Sequence, residues 1–193
     1  MQNGESRAES RHMQDTVLAA RLMGVSEQTL QRLTTCVYTR DLLYGTFREK
    51  LGGDLPGGLT DVQRFLLAQD GEGMSLLALR LGCVCYARTI LSLMSGETLR
   101  KLAHLTTPHV MQDAAWGTAF SSPMKGPESL ERLVPLMRVS GLACLRVWCE
   151  RQPVAVGRRV SLLLPMQEDE ETVLPEYPEQ LVEAFVAEQL GHG

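Results

Sequence analysis

Apolar residues recur along this chain with a helical period almost throughout, most densely from Met74 to Met94, MSLLALRLGCVCYARTILSLM. Leu77, Leu81, Val84 and Leu91 fall on one face of that run, and Leu76, Leu79, Cys83, Tyr86 and Ile90 on the other. A helix that is apolar nearly all the way round has to be buried. At about 100° per residue its two charges, Arg80 and Arg88, lie within roughly 80° of each other, and they mark the one edge predicted to reach solvent. The pattern therefore predicts a central rod with the other helices laid against it.

Residues 1–13 are polar and aperiodic and are predicted to be disordered. A short helix is predicted from Gln14 to Met23, closed by Gly24; Ser26 then caps a longer one to about Lys50, with Leu30, Leu33, Val37 and Tyr44 at helical spacing. Residues 14–51 thus read as an N-terminal helical hairpin subdomain. The nine residues that follow, GGDLPGGLT, hold four glycines and a proline and are expected to be a flexible connection. A short helix over Asp61 to Gln69 precedes the central rod, which a turn at Asp70-Gly71-Glu72-Gly73 launches.

After the rod, Ser95 is placed to cap a helix over Gly96 to Leu105, and Thr107-Pro108 opens another whose predicted inner stripe is Val110, Met111, Ala114 and Ala115. Ser121 to Gly126 reads as a loop. Pro127 is predicted to start a long helix to about Glu150, in which Leu130, Leu133, Val134, Met137, Gly141, Cys144, Leu145 and Trp148 form a continuous apolar band and Pro135 a kink. Val154 to Val156 and Val160 to Leu164 are short β-branched or aliphatic runs closed by Pro165, which predicts one or two short extended segments near residues 154–164. Residues 166–177 are an acidic linker, and Pro178 starts a last amphipathic helix ended by Gly191. The fold class that follows is mostly all-α, a compact multi-helix bundle around a buried central helix, with residues 14–193 as one domain.

At 193 residues and 44% hydrophobic, the chain is long enough to bury a substantial core. It has no apolar run long enough to span a bilayer and no secretory leader, so it is expected to be cytoplasmic without direct membrane insertion. Five cysteines at irregular spacing, four of them inside apolar helical patterns, fit free thiols in a reducing compartment. Net charge is −4, distributed as −1 over residues 1–70, +5 over 71–165 and −8 over 166–193. Either the acidic tail folds back on the basic body, or the two surfaces attract different partners.

Ala20 to Leu33 has the outline of a helix-turn-helix, which makes a transcription regulator the alternative reading. Its second helix, EQTLQRLTT, offers Gln28, Gln31 and Arg32 to bases but almost no charge to phosphates, so no nucleic-acid partner is expected. Cys83, Cys85, His104 and His109 could be written as a metal set, yet two cysteines two positions apart on a helix point about 200° from each other. No metal or cofactor is expected. The sequence has no nucleophile elbow, zinc-protease motif or phosphate loop, and acid pairs such as Glu170-Glu171 sit in the linker, so no enzyme is predicted.

Three blocks taken together resemble the K-subunit family of type III secretion sorting platforms. They are Leu76 to Leu93 with its Arg80-Leu81-Gly82 centre, running on into Gly96 to Leu102; Ser140-Gly141-Leu142-Ala143; and Arg158-Arg159-Val160-Ser161-Leu162-Leu163-Leu164-Pro165. The family's tyrosine- and proline-rich opening has no counterpart before the glycine-rich connection. The resemblance implies a non-enzymatic cytoplasmic adaptor at the cytoplasmic face of the bacterial inner membrane. It implies as partners the cytoplasmic domain of the inner-membrane ring protein and the pod protein, and indirectly the export ATPase and its stator. The charge map adds an expectation: Arg138 and Arg146 on the outer side of the long helix, with Arg158 and Arg159, form part of one partner-binding surface.

Overall fold

The computed structural model describes residues 19–93, 95–120, 126–127, 129–165 and 174–191. Among these the chain is helical with no strand, a bundle of packed helices. The predicted disordered segment 1–13, residues 14–18 of the Gln14–Met23 helix, residues 121–125 of the loop and 166–173 of the acidic linker lie outside the described residues.

Residues 19–23 are helical, and Gly24 makes the turn with φ +68°, a left-handed conformation that suits glycine. Ser26 caps α1 (Glu27–Thr35), its Oγ accepting the Thr29 amide. The single helix expected up to Lys50 is instead broken at Cys36, whose backbone is extended, before α2 (Val37–Lys50) begins. Hydroxyls serve carbonyls at the break. Thr34 and Thr35 donate to the carbonyl of Gln31, and Thr39 donates to that of Leu33, offering these acceptors an alternative to the next helical turn. Helices α1 and α2 close on a small cluster of their own, with Ala20, Leu30 and Leu43 buried.

Beyond the glycine-rich connection, Thr60 and Gln63 form a reciprocal capping box on α3 (Asp61–Leu67). Asp70 caps the central helix α4 (Gly71–Cys85) through its Oδ1, 2.7 Å from the Gly73 amide, so the predicted launching turn is already the first helical turn. The rod is interrupted at Tyr86 and resumes as α5 (Ala87–Ser92). The interruption is shallow, since the Tyr86 amide still bonds to the Gly82 carbonyl and the Ile90 amide to that of Tyr86. Then come α6 (Gly96–Leu105) under the predicted Ser95 cap, α7 (Val110–Trp116), a 3-10 turn (Gly117–Ala119), the long α8 (Leu130–Arg151), α9 (Val154–Leu163) and α10 (Pro178–Gly191).

Helix α4 is buried on both sides. Leu77, Ala78, Leu81, Val84 and Cys85 face the main cluster, which takes in Leu66 of α3, Leu145 and Trp148 of α8, Val156 and Val160 of α9 and Leu181, Val182, Phe185 and Val186 of α10. On the other side Leu79 and Cys83 join Ile90, Leu102, Val110, Leu133 and Met137 in a second cluster. Only Leu76 among its large apolar residues is exposed.

What brings α4 so close to α8 is a pair of glycines. A Cβ on Gly141 would lie 1.7 Å from the Ala78 carbonyl oxygen, and one on Gly82 would lie 1.9 Å from that of Met137. The two backbones touch, so no side chain fits between them. Cys85 and Cys144 flank the crossing with their sulfurs 3.8 Å apart.

The extended segments predicted near residues 154–164 are corrected by the structure: Val154–Leu163 is helix α9. Pro153 sits at its N-cap, and Val156, Val160 and Leu164 are buried at intervals of four, the spacing of one helical face. Gly157 is the residue that lets α9 fold back on α8, since a Cβ there would lie 2.2 Å from the Cys149 carbonyl oxygen. The β-branched content is real, but contact with α8 outweighs it.

Candidate functional site

An extended polar arrangement among the described residues is built on Arg80, predicted as a solvent-edge residue. Its guanidinium is turned inward to Asp113 of α7 as a two-pronged pair, Nε to Oδ2 at 2.9 Å and Nη2 to Oδ1 at 2.7 Å. Its Nη1 donates to Oε1 of Gln189 on α10 at 2.7 Å. Asp113 is 2% exposed. The Phe185 ring lies under the guanidinium, 5.1 Å from ring centre to Cζ, and meets Trp116 edge-on at 5.5 Å, which in turn stacks on Phe120 at 5.2 Å. Arg80 thus joins three helices that are far apart in sequence, through bidentate and cation-π geometry that lysine could not reproduce.

Arg80, Asp113, Trp116, Phe185 and Gln189 line a cleft of about 280 Å³, with His109, Gln112 and Glu188 also on its walls. Much of the cleft floor is already committed, since each of the three guanidinium nitrogens of Arg80 donates to Asp113 or Gln189 and both Asp113 oxygens accept from Arg80. The arrangement works as a buried clasp that holds α10 to the body. A second tie does the same nearly two turns earlier in α10: Trp148 Nε1 donates to Glu183 Oε1 at 2.6 Å. Residues 178–191, the end of the acidic tail, therefore fold back on the body, one of the two outcomes the charge map allows.

The four arginines predicted as a partner surface are not alike. Arg138 is exposed on α8. Arg146 donates to the Pro165 carbonyl at 3.1 Å. Arg158 donates to the Lys50 carbonyl at 2.7 Å, and Arg159 spreads over the carbonyls of Leu51, Gly53 and Ala155. The last two therefore tie α9 to the chain leaving α2, filling acceptors that a loop leaves open. No sequence motif marks that use, because the partners are main-chain atoms about a hundred residues away.

The helix-turn-helix outline corresponds to residues 19–23, Gly24 and α1. Gln28, Gln31 and Arg32 are exposed there, and only one of them carries charge. The written metal set is not assembled: Cys83 belongs to the second cluster, Cys85 to the main one, and His104 and His109 are exposed. Glu170-Glu171 lies outside the described residues.

All five thiols are free. Burial pushes the Cys83 thiol up and that of Cys149 up to about 12, while contact with Cys85, then burial, raises Cys144. Exposed Cys36 goes the other way, held below the ordinary thiol range by the Thr39 hydroxyl and the amides of Tyr38 and Thr39 at the start of α2. No helix among the described residues is long and apolar enough to cross a membrane. No protein-family model, curated protein or solved structure matches the chain.

Proposed function

We propose that the chain is a non-enzymatic adaptor of a bacterial type III secretion sorting platform. It sits at the cytoplasmic face of the inner membrane and links the ring protein's cytoplasmic domain to the pod protein, and through it to the export ATPase and its stator. The observation that carries the reading is where the three resembling blocks fall. Gly82 of the first and Gly141 of the second meet at the α4–α8 crossing, and the third is most of α9, whose Gly157, just ahead of it, rests on α8. The order and spacing behind the resemblance are therefore those that one particular helix packing requires.

A packed bundle of this kind suits an adaptor, since Arg80, Asp113 and Trp148 are spent on holding helices together and recognition falls to the outside. Charge-complementary contacts raise association rates without an obligate apolar interface, which fits a platform whose parts exchange. Within the predicted arginine surface, Arg138 is the member suited to a partner, because Arg146, Arg158 and Arg159 already serve internal carbonyls. The test is co-purification of the tagged full chain from cells carrying a secretion apparatus. Ring and pod proteins are expected to accompany it, less so for Arg138→Glu and less so at high salt. Recovery of the chain with neither protein would overturn the proposal.

A further inference from the structure

Helix α2 carries four of the large apolar side chains left exposed: Tyr38 at 93%, Leu42 at 74%, Val37 at 69% and Tyr44 at 59%. Gly45 stands among them, with nothing within 4 Å of the place its Cβ would occupy. Counted at about 100° per residue, Tyr38, Asp41, Gly45 and Arg48 fall within roughly 80° of each other, on the side opposite buried Leu43. A glycine inside an exposed helix weakens it, and this fold gives it no neighbour in return. The glycines in the middle of α4 and α8 have such a neighbour, namely another helix's backbone.

We propose that this face of α2 is a self-association surface that docks α2 of a second copy, antiparallel, across a two-fold axis passing beside Gly45. Charge complementarity selects the occupant and its direction. With the axis between Tyr44 and Gly45, Asp41 of each copy stands opposite Arg48 of the other, so one symmetric contact forms two ion pairs. A parallel pairing would set Asp41 against Asp41 and Arg48 against Arg48. The pairs these residues make within the chain, Asp41 with Arg40 and Arg48 with Asp54, have side chains at least half exposed, so they exchange readily on docking. Gly45 lets the two helices approach, Tyr38 lies on the contact face itself, and Leu42 and Tyr44, about 160° apart around the helix, flank it on either side.

A face about 21 Å long on one helix is at the small end of specific interfaces, so the dimer is weak, with a dissociation constant on the order of 10–100 µM. This surface concerns the chain against itself and does not depend on the adaptor reading.

Sedimentation equilibrium of the full chain between about 1 µM and about 1 mM tests the proposal. The wild type is expected to pass from monomer to dimer over that range. Leu42→Glu, an exposed change that leaves the helical circular dichroism intact, should stay monomeric. Asp41→Arg and Arg48→Asp should each weaken self-association about ten-fold, and an equimolar mixture of the two should regain it, because each copy then meets the opposite charge. A wild type that is monomeric throughout would overturn the proposal and leave the face to an unlike partner. So would a dimer indifferent to Leu42→Glu, or a mixture of the two charge variants that stays monomeric.

Discussion

The body of the protein, from α3 to α10, and the N-terminal hairpin of α1 and α2 are both helical and both contain mid-helix glycines, yet they use them in opposite ways. In the body Gly82 and Gly141 are fully covered and set how near two helices come. In the hairpin Gly45 is open to solvent, and only Ala20, Leu30 and Leu43 are buried in the cluster there. The lesson is that buried packing is concentrated in the body, while the four most exposed large apolar side chains among the described residues all lie on one helix of the hairpin. The hairpin is held to the body through α9, by Arg158 and Arg159 on the carbonyls of Lys50, Leu51 and Gly53. It should open locally well before the body does.

Thiol labelling draws the sharpest contrast. Cys36 lies between α1 and α2, and the other four cysteines are buried in the body. Mass spectrometry after brief alkylation should find Cys36 modified alone, with the body thiols slower by about 10³-fold or more because they wait for unfolding. Its lowered pKa also means that Cys36 stays reactive as pH falls below the range of an ordinary thiol. Comparable labelling of Cys83 or Cys149 in the native protein would erase the distinction.

Asp113→Ala strikes the clasp. It leaves Arg80, 16% exposed at its side chain, without its carboxylate. The expected loss is about 3–5 kcal/mol in urea denaturation, with α10 loosened in hydrogen exchange. A loss under about 1 kcal/mol would mean the buried pair contributes no more than an ion pair at the surface.

The next largest effect separates the two kinds of glycine. Gly141→Ala drives a methyl into the Ala78 carbonyl and should cost about 3 kcal/mol, because two packed helices have to move apart. Gly45→Ala meets nothing. In dilute monomeric protein it should raise the stability of the hairpin by about 0.5–1 kcal/mol, read from the exchange of α2 amides. Effects of the same sign at both sites would break the comparison.

Much of the fold is legible in the sequence where a signal is local. The all-round apolar run of α4, the caps at Ser26 and Ser95 and the amphipathic α10 need only propensity and spacing to be found. The polar clasp is legible only in part. The stripe predicted for α7 was Val110, Met111, Ala114 and Ala115, whereas Met111 and Ala115 are exposed and Asp113 is buried beside Val110 and Ala114. Hydrophobic pattern cannot place a carboxylate inside a bundle, because only its partner makes burial tolerable. That partner, Arg80, is 33 positions away, and Gln189 is 109 positions from Arg80.

By itself the sequence determined that this chain folds as helices around one apolar rod, since periodicity, caps and glycine-proline punctuation act within a few residues of where they stand. Only the tertiary structure decided that residues 154–163 are helical, that Arg80 points inward, and that Arg158 and Arg159 bind the chain itself. Each of these depends on an acceptor or a backbone surface from another element, and its free energy exists only once that element is in place.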